Sequence, residues 1–401
     1  MRRRACLVVI FCCVAMSVAA QKITHVDTLD YNSYAPIDYT AIMRELERAS
    51  RPTAWQRITD FFGRKGEPQT DKNFNLSGNI GVGYSQETSA MFVATGTAQY
   101  LLRDDVPQSF TSLSGMVSVN GFYRVQLAGA LAFSEKDKLE YNIGGGEMPI
   151  RFWGLGYDVA DNATRSKYTQ GSISGDVSHI RHITRGLAIG AGVEASYLNA
   201  YDIEPLAEEY LLMAGASERE LFTAGVSLMA EYNGKSYEGN TISGYYAKVS
   251  GTFYPQALGN HTNNMWHAEA TFDYYQPLWR GAVAAFDIYA QLWSQDTPWL
   301  LWSKIGGDNR MRGYYYGRYI DRDMATAQIE LRQTIYGPIS GVVWGGAGTI
   351  FSSFKHFDIE QLLPNYGLGL RVAAGEKASL RIDYGFGRHS NGLVVSVNEA
   401  F

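Results

Sequence analysis

The stretch Phe74-Asn75-Leu76-Ser77-Gly78-Asn79-Ile80-Gly81-Val82-Gly83-Tyr84 decides the fold. Its even positions are apolar or Gly, and its odd positions are Asn, Ser or Gly. A period of two puts these two sets on opposite faces of a strand. Arg124 to Phe133 repeats the pattern. Val125, Leu127, Leu131 and Phe133 share one face, and Arg124, Gln126 and small alanines share the other. A soluble sandwich would alternate too. Length separates the two readings: these segments reach the roughly 9–11 residues that a tilted membrane strand needs, against ~5–6 in globular sheets.

Sixteen such segments can be marked. They begin near Phe74, Ala90, Phe110, Tyr123, Lys138, Ser166, Thr184, Glu218, Asn240, Met265, Arg280, Arg322, Pro338, Pro364, Lys377 and Ser390. An even count suits a single-chain outer-membrane barrel. Connections alternate between tight ones (Ile183–Gly186, Gln276–Arg280, Tyr336–Pro338) and long ones (Gly144–Ser166, Asn199–Arg219, Ser294–Asp321). Tight turns belong on the periplasmic side of such a barrel. The aromatic residues Tyr100, Trp266, Tyr274, Tyr275, Trp279, Trp293, Trp299 and Trp302 fall near strand ends and read as interfacial girdles.

Composition agrees. The 401 residues carry 42 Gly and 27 Tyr. No apolar run is long enough for the ~18–20 residues of a helical span. Net charge is 35 − 40 = −5, which gives no reason to expect nucleic acid. Residues 1–20 read as a secretory signal peptide: Arg2, Arg3 and Arg4, a short apolar core from Leu7 to Val14, then Val18-Ala19-Ala20. All three cysteines (Cys6, Cys12, Cys13) lie in that segment, so no disulfide or thiolate metal site is expected in the exported chain. Residues 21–73 differ from the alternating remainder of the chain. Ile42, Leu46, Ala49, Trp55, Ile58 and Phe62 recur at helical spacing, interrupted at Arg51-Pro52, which predicts two short helices forming a periplasmic arm or plug.

Ser294 to Asp321 is far longer than the usual ~4–6-residue connection. Its centre is Gly306-Gly307-Asp308-Asn309-Arg310-Met311-Arg312-Gly313-Tyr314-Tyr315-Tyr316-Gly317. We read this as an ordered loop carrying Arg312 to an acidic site. The next strand supplies one. Ala327, Ile329, Leu331 and Ile335 share a face and meet lipid, so Thr326, Gln328, Glu330 and Arg332 face the lumen. Glu330 is the expected partner of Arg312, in a charge-assisted contact. By the same parity Leu380, Ile382, Tyr384 and Phe386 face lipid, while Arg381, Asp383 and Arg371 face inward.

Met311-Arg312-Gly313-Tyr314 resembles the loop-six motif, Val/Ile-Arg-Gly-Phe/Tyr, of the BamA/TamA superfamily of outer-membrane assembly factors and bacterial surface antigens. Gln328 to Arg332 is similar to that family's next strand, and Leu380–Gly387 with the terminal Phe401 to its last strands. Short members share a phrase like Phe152-Trp153-Gly154-Leu155-Gly156. The resemblance covers about Phe74 to Phe401. It implies a sixteen-stranded barrel with a weak seam between first and last strands, Phe74–Tyr84 against Gly392–Phe401, and a C-terminal strand signal at Phe401. It also implies dealings with outer-membrane lipids, nascent outer-membrane proteins or an accessory periplasmic subunit. Three departures stand out. Gly346, in Trp344-Gly345-Gly346-Ala347-Gly348, replaces an expected Asp, which would leave Arg312 more dependent on Glu330. Position 399, usually apolar or aromatic, is Glu399. The segment before the barrel is too short for the family's POTRA repeats, which puts client capture of the family's kind in question.

Enzyme readings are weaker. No G-x-S-x-G elbow is present. His389 and Ser390 are adjacent, so in a strand they would point to opposite faces and form no nucleophile–base pair. His179-x-x-His182, taken as a turn, lacks a third metal ligand, and the acids of Asn199–Arg219 read as a solvated loop. The sequence therefore predicts an all-β, 16-stranded antiparallel transmembrane β-barrel over residues 74–401, preceded by a short helical segment. No cofactor or metal is expected, and no catalytic residue. Two functions remain in view: an insertion or translocation factor, and a passive pore or structural surface antigen.

Overall fold

The structure, a computed structural model, describes residues 74–236, 241–373, 379–397 and 399–401. The expected signal peptide (1–20) and helical arm (21–73) lie outside the described residues.

The strands are β1 (Phe74–Ser85), β2 (Ser89–Tyr100), β3 (Ser109–Ser118), β4 (Tyr123–Ala132), β5 (Asp137–Phe152), β6 (Ser166–His182), β7 (Leu187–Tyr201), β8 (Glu220–Asn233), β9 (Gly244–Tyr254), β10 (Met265–Trp279), β11 (Ala282–Trp293), β12 (Ser303–Ile305), β13 (Tyr319–Asp321), β14 (Asp323–Tyr336), β15 (Ile339–Phe351), β16 (Leu363–Ala373), β17 (Ser379–Gly387) and β18 (Ser390–Val397). All but β12 and β13 close one antiparallel barrel in sequence order, so the wall has sixteen strands. β12 and β13 form a two-stranded sheet inside the long connection between β11 and β14, hereafter loop six. Each expected strand start lies within four residues of an observed one, the widest miss being Asn240 against Gly244. Two helices, α1 (Tyr157–Asn162) and α2 (Pro205–Met213), sit in the connections β5–β6 and β7–β8.

The alternation of faces holds along the wall. Leu76, Val82, Val125, Ile329 and Tyr384 are exposed on the outside. Gln328, Glu330, Arg332, Arg381 and Asp383 are buried inside. An apolar outside and a polar inside suit a barrel whose solvent is lipid. His179 and His182 lie within β6, not at a turn.

Only some of the expected girdle aromatics face outward. Trp266, Tyr274 and Trp279 do lie on the outer surface. Tyr275, Trp293 and Trp299 are buried. Trp299 is the centre of a cap in which Phe152 lies tilted against it and Tyr168 meets both rings edge-on, with Leu211, Leu300 and Ile320 around them. The Phe152–Gly156 phrase is thus part of this cap. Phe152 is its innermost ring, and the Gly156 N–H donates to the Ile320 carbonyl at 2.8 Å.

The seam between first and last strands is also narrower than expected. β1 and β18 register at one pair, Tyr84↔Val395. β1 pairs with β2 along its whole length, from Phe74↔Tyr100 to Ser85↔Ser89. β18 ends at Val397. Phe401, expected to close the last strand, is instead stacked near Tyr275, 6.4 Å between ring centroids, on the lumenal side.

Candidate functional site

Loop six enters the barrel as a turn built on left-handed backbone. Gly306, Gly307 and Gly313 have φ of +112°, +117° and +104°, and Met311 has +53°. Glycine takes such angles without penalty. At Gly313 it is also required by space: a Cβ would stand 2.6 Å from the carbonyl carbon of Gly385 on β17. Reciprocally, a Cβ on Gly385 would meet the Arg312 carbonyl oxygen at 2.5 Å. Two glycines let loop and wall touch backbone to backbone.

That contact aims Arg312 into the wall. Its side chain is fully buried. Nη2 donates to Glu330 at 2.6 Å and Nη1 to Asp383 at 2.7 Å. Its guanidinium lies over the Trp344 ring, 3.8 Å from the centroid. Glu330 also accepts from Arg332 at 2.7 Å, and Arg371 contacts Asp383 and Glu399. Arg381 donates to Asn309 of the loop at 3.2 Å and stands 3.9 Å from Asp383. The structure thus brings Arg312, Glu330, Asp383, Arg332 and Arg381 into one network. Charged groups without water stay charged only when paired and hydrogen-bonded in this way.

Gly346 brings no carboxylate, and Asp383, placed inward by strand parity, supplies Arg312 with a second one from β17. Position 346 has no room for a side chain: a Cβ would stand 2.5 Å from the Ala327 oxygen and 2.8 Å from Asn365 Oδ1. Met311 is buried beside Gly348, and the Tyr314 hydroxyl donates to the Pro364 carbonyl at 2.7 Å and accepts from the Arg388 N–H at 2.6 Å.

Sequence reasoning missed a second anchor. Arg310 grips Asp287 of β11 in bidentate fashion, at 2.8 to 3.0 Å, and lies over Tyr289. The signal was present: Asp287 falls on the inward parity between Phe286 and Ile288, and Arg310 is two residues before Arg312. Nearby Asp308 is half-buried in the loop, and loss of water pushes its carboxyl up to about 6. Glu87 adds to the rise and Arg381 offsets part of it. Lys304, half-buried against the carbonyls of Leu300 and Trp302, is pushed down to about 8 by loss of water.

The loop also touches both sides of the seam. The Gly313 carbonyl accepts from Gln86 Nε2, in the β1–β2 turn, at 3.3 Å, and from Ser390 Oγ, first residue of β18, at 2.7 Å. The Tyr316 N–H donates to Glu87 at 2.7 Å. Ser390 is therefore engaged with the loop, while the neighbouring His389 is exposed and lies 3.9 Å from Asp161. The two are not brought together as a reactive pair. In the β7–β8 connection Glu208 pairs with Arg219 at 2.7 Å and Glu204 accepts from Ser166. No cluster of metal-ligand type occurs among the described residues.

A family model for the Omp85 superfamily domain matches residues 70–393. Solved structures of like fold include BamA from Haemophilus ducreyi lacking POTRA domains 1-3, at 15% identity and a TM-score of 0.59, covering 80% of this chain and 70% of that one. They include CdiB from Acinetobacter baumannii, at 14% identity and 0.54, covering 82% and 60%. CdiB from Escherichia coli matches at 14% and 0.56, covering 80% and 62%. The chain thus spans under two thirds of either CdiB chain. At these identities the likeness is one of fold. No protein of curated function matches the chain by sequence.

Proposed function

The chain belongs to the Omp85 superfamily, and on that premise we propose that this outer-membrane β-barrel assists insertion or translocation of proteins or lipids at the outer membrane through its β1–β18 seam. One observation carries the reading. Among the described residues β1 and β18 register only at Tyr84↔Val395, so there the β1 edge from Phe74 to Val82 has backbone donors and acceptors with no partner on β18. An unpaired edge is a template for a further strand. In hydrocarbon each unsatisfied group is costly, so an incoming strand that pairs there gains more than it would in water. The loop-six network would keep the rest of the wall rigid while the seam gives way and the bilayer beside it thins. Partners on this reading are outer-membrane lipids and nascent outer-membrane proteins, with an accessory periplasmic subunit delivering them.

The test is a disulfide between Tyr84→Cys and Val395→Cys in barrels reconstituted into lipid vesicles. With the seam locked, insertion of an unfolded client barrel is expected to fall to the rate of empty vesicles and to recover on reduction. Unchanged insertion would sink the seam reading. The second reading, a structural surface antigen that keeps the motif for stability, is favoured by the absence of exposed surface on Arg312, Glu330 and Asp383. It expects locked and reduced barrels to behave alike.

A further inference from the structure

Glu399 lies two residues beyond the end of β18 at Val397. The antiparallel register Tyr84↔Val395 fixes where it would lie if β18 ran to the end of the chain. Continuing the pairing gives Val82 opposite Val397, Ile80 opposite Glu399 and Gly78 opposite Phe401. Cross-strand partners share a face. Tyr84, Val82 and Ile80 are on the outer face, and Val397 is 58% exposed there. A continued strand would therefore hold the Glu399 carboxylate in lipid beside Ile80, which is unfavourable to a degree set by depth.

The structure shows the alternative. Glu399 is nearly buried in the lumen, where Arg371 Nε donates to it at 2.7 Å and Arg332 Nε lies 3.7 Å away. Ala400 is buried. Arg332 Nη2 donates to the Phe401 carbonyl oxygen at 3.0 Å, and its guanidinium lies 5.4 Å from the Phe401 ring. Arg332 Nη1 has no protein partner among the described residues. Arg332, Arg371 and Glu399 border a cavity of about 280 Å³ among the residues at the β11, β14 and β16 ends nearest the tight turns.

We infer that Arg332 and Arg371 form a lumenal binding site for an acidic, aromatic segment, and that by holding this chain's own Glu399–Phe401 the site limits the seam to the one pair seen among the described residues. The ligand class comes from the contacts. Two guanidinium groups take a side-chain carboxylate and a backbone carbonyl oxygen, and the Tyr275 ring takes an aromatic side chain. When the tail leaves, β18 can add Ile80↔Glu399 and Gly78↔Phe401 to the wall, at the penalty of a lipid-facing acid. The tail thus trades an ion pair inside against strand pairing outside. This deepens the seam reading by naming what controls the seam, but it concerns register alone and needs no client.

Two cysteine pairs report the two positions of the tail in membrane-embedded barrel. Tyr275→Cys with Phe401→Cys reports the docked tail, and Gly78→Cys with Phe401→Cys reports the extended strand. No cysteine lies beyond Cys13 to interfere. With Glu399 present, the docked pair is expected to crosslink and the extended pair to stay near background. Glu399→Leu removes both the ion pair and the lipid penalty. It should raise the extended crosslink at least fivefold and lower the docked one. Should the Leu variant fail to reach the folded, heat-modifiable form, Glu399→Gln decides, with a smaller rise in the same direction expected. The inference is overturned if the extended pair crosslinks fully with Glu399 in place, or if the folded variant leaves both yields unchanged. Because no client is added, a failed insertion assay leaves this result standing, and the reverse holds too.

Discussion

The two faces of loop six differ sharply in what they hold. On one side Arg312 sits against β14, β15 and β17 with two carboxylates and an aromatic ring around it. On the other, a few hydrogen bonds join the same loop to Gln86 and Glu87 of the β1–β2 turn and to Ser390 of β18. The first is a buried ionic contact whose disruption leaves uncompensated charge. The second consists of part-buried hydrogen bonds, each worth less than an ion pair. The contrast locates where the barrel can yield. The wall from β11 to β17 has this ionic network behind it, and on the proposed reading the β1–β18 boundary is the part that gives way.

The severest challenge to this contrast is Arg312→Ala. It leaves Glu330 and Asp383 facing each other's field with one cation fewer, and breaking a buried pair in this manner costs about 3–5 kcal/mol. Arg332 and Arg371 still contact those carboxylates, which places the expected loss at the lower end. Arg312→Lys should recover only part, since an ammonium cannot span both acids as the fork does. Urea unfolding in lipid vesicles and protease protection of loop six would read both. A loss under ~1 kcal/mol would show that the network is not what fixes this side of the loop.

Gly313→Ala should cost somewhat less and act through backbone. A residue with a Cβ at φ +104° carries strain of order 1–3 kcal/mol. Its Cβ would also press on Gly385, which cannot retreat without moving β17. The expected result is a loop that leaves the wall while the strands stay formed: faster protease cleavage near Arg310, with unchanged β-sheet circular dichroism. A variant as resistant as the parent would mean the close approach is not needed.

Most of the wall is legible in the sequence because one-dimensional parity determines it. A strand has only two faces, and lipid outside demands apolar residues on one of them, so Glu330 and Asp383 can be placed inward from their neighbours alone. Loops lack that constraint. Trp299 and Trp293 look the same near a strand end whether the ring meets a bilayer or packs under a cap, and only the fold supplies Phe152 and Tyr168 as neighbours. Arg310 escapes sequence reasoning because its partner lies on β11, before loop six, whereas Arg312 pairs with the strand directly after it. Gly346 misleads for a related reason. A missing carboxylate on one strand says nothing of what a nearby strand provides, and Asp383 lies two strands over from β15. Glu399 is visible as a departure, but its meaning needs the register Tyr84↔Val395.

The looser side of loop six is probed by Ser390→Ala. The lost bond is one neutral hydroxyl-to-carbonyl contact of 2.7 Å. Such bonds contribute ~0.5–1.5 kcal/mol net. Gly313 keeps Gln86 as a second donor, at a longer 3.3 Å, so the oxygen is not orphaned and the loss should fall toward the bottom of that range. Global unfolding should barely register it. Local opening at the top of the seam should, because there the bond is one of few. Hydrogen exchange of the amides in Ser390–Val397 is expected to speed up by roughly two- to fourfold, as about 0.5–0.8 kcal/mol implies, while exchange in β14 stays at its parent rate. Equal acceleration in both strands would mean that seam and loop-six wall open as one unit, and the contrast drawn between them would fail.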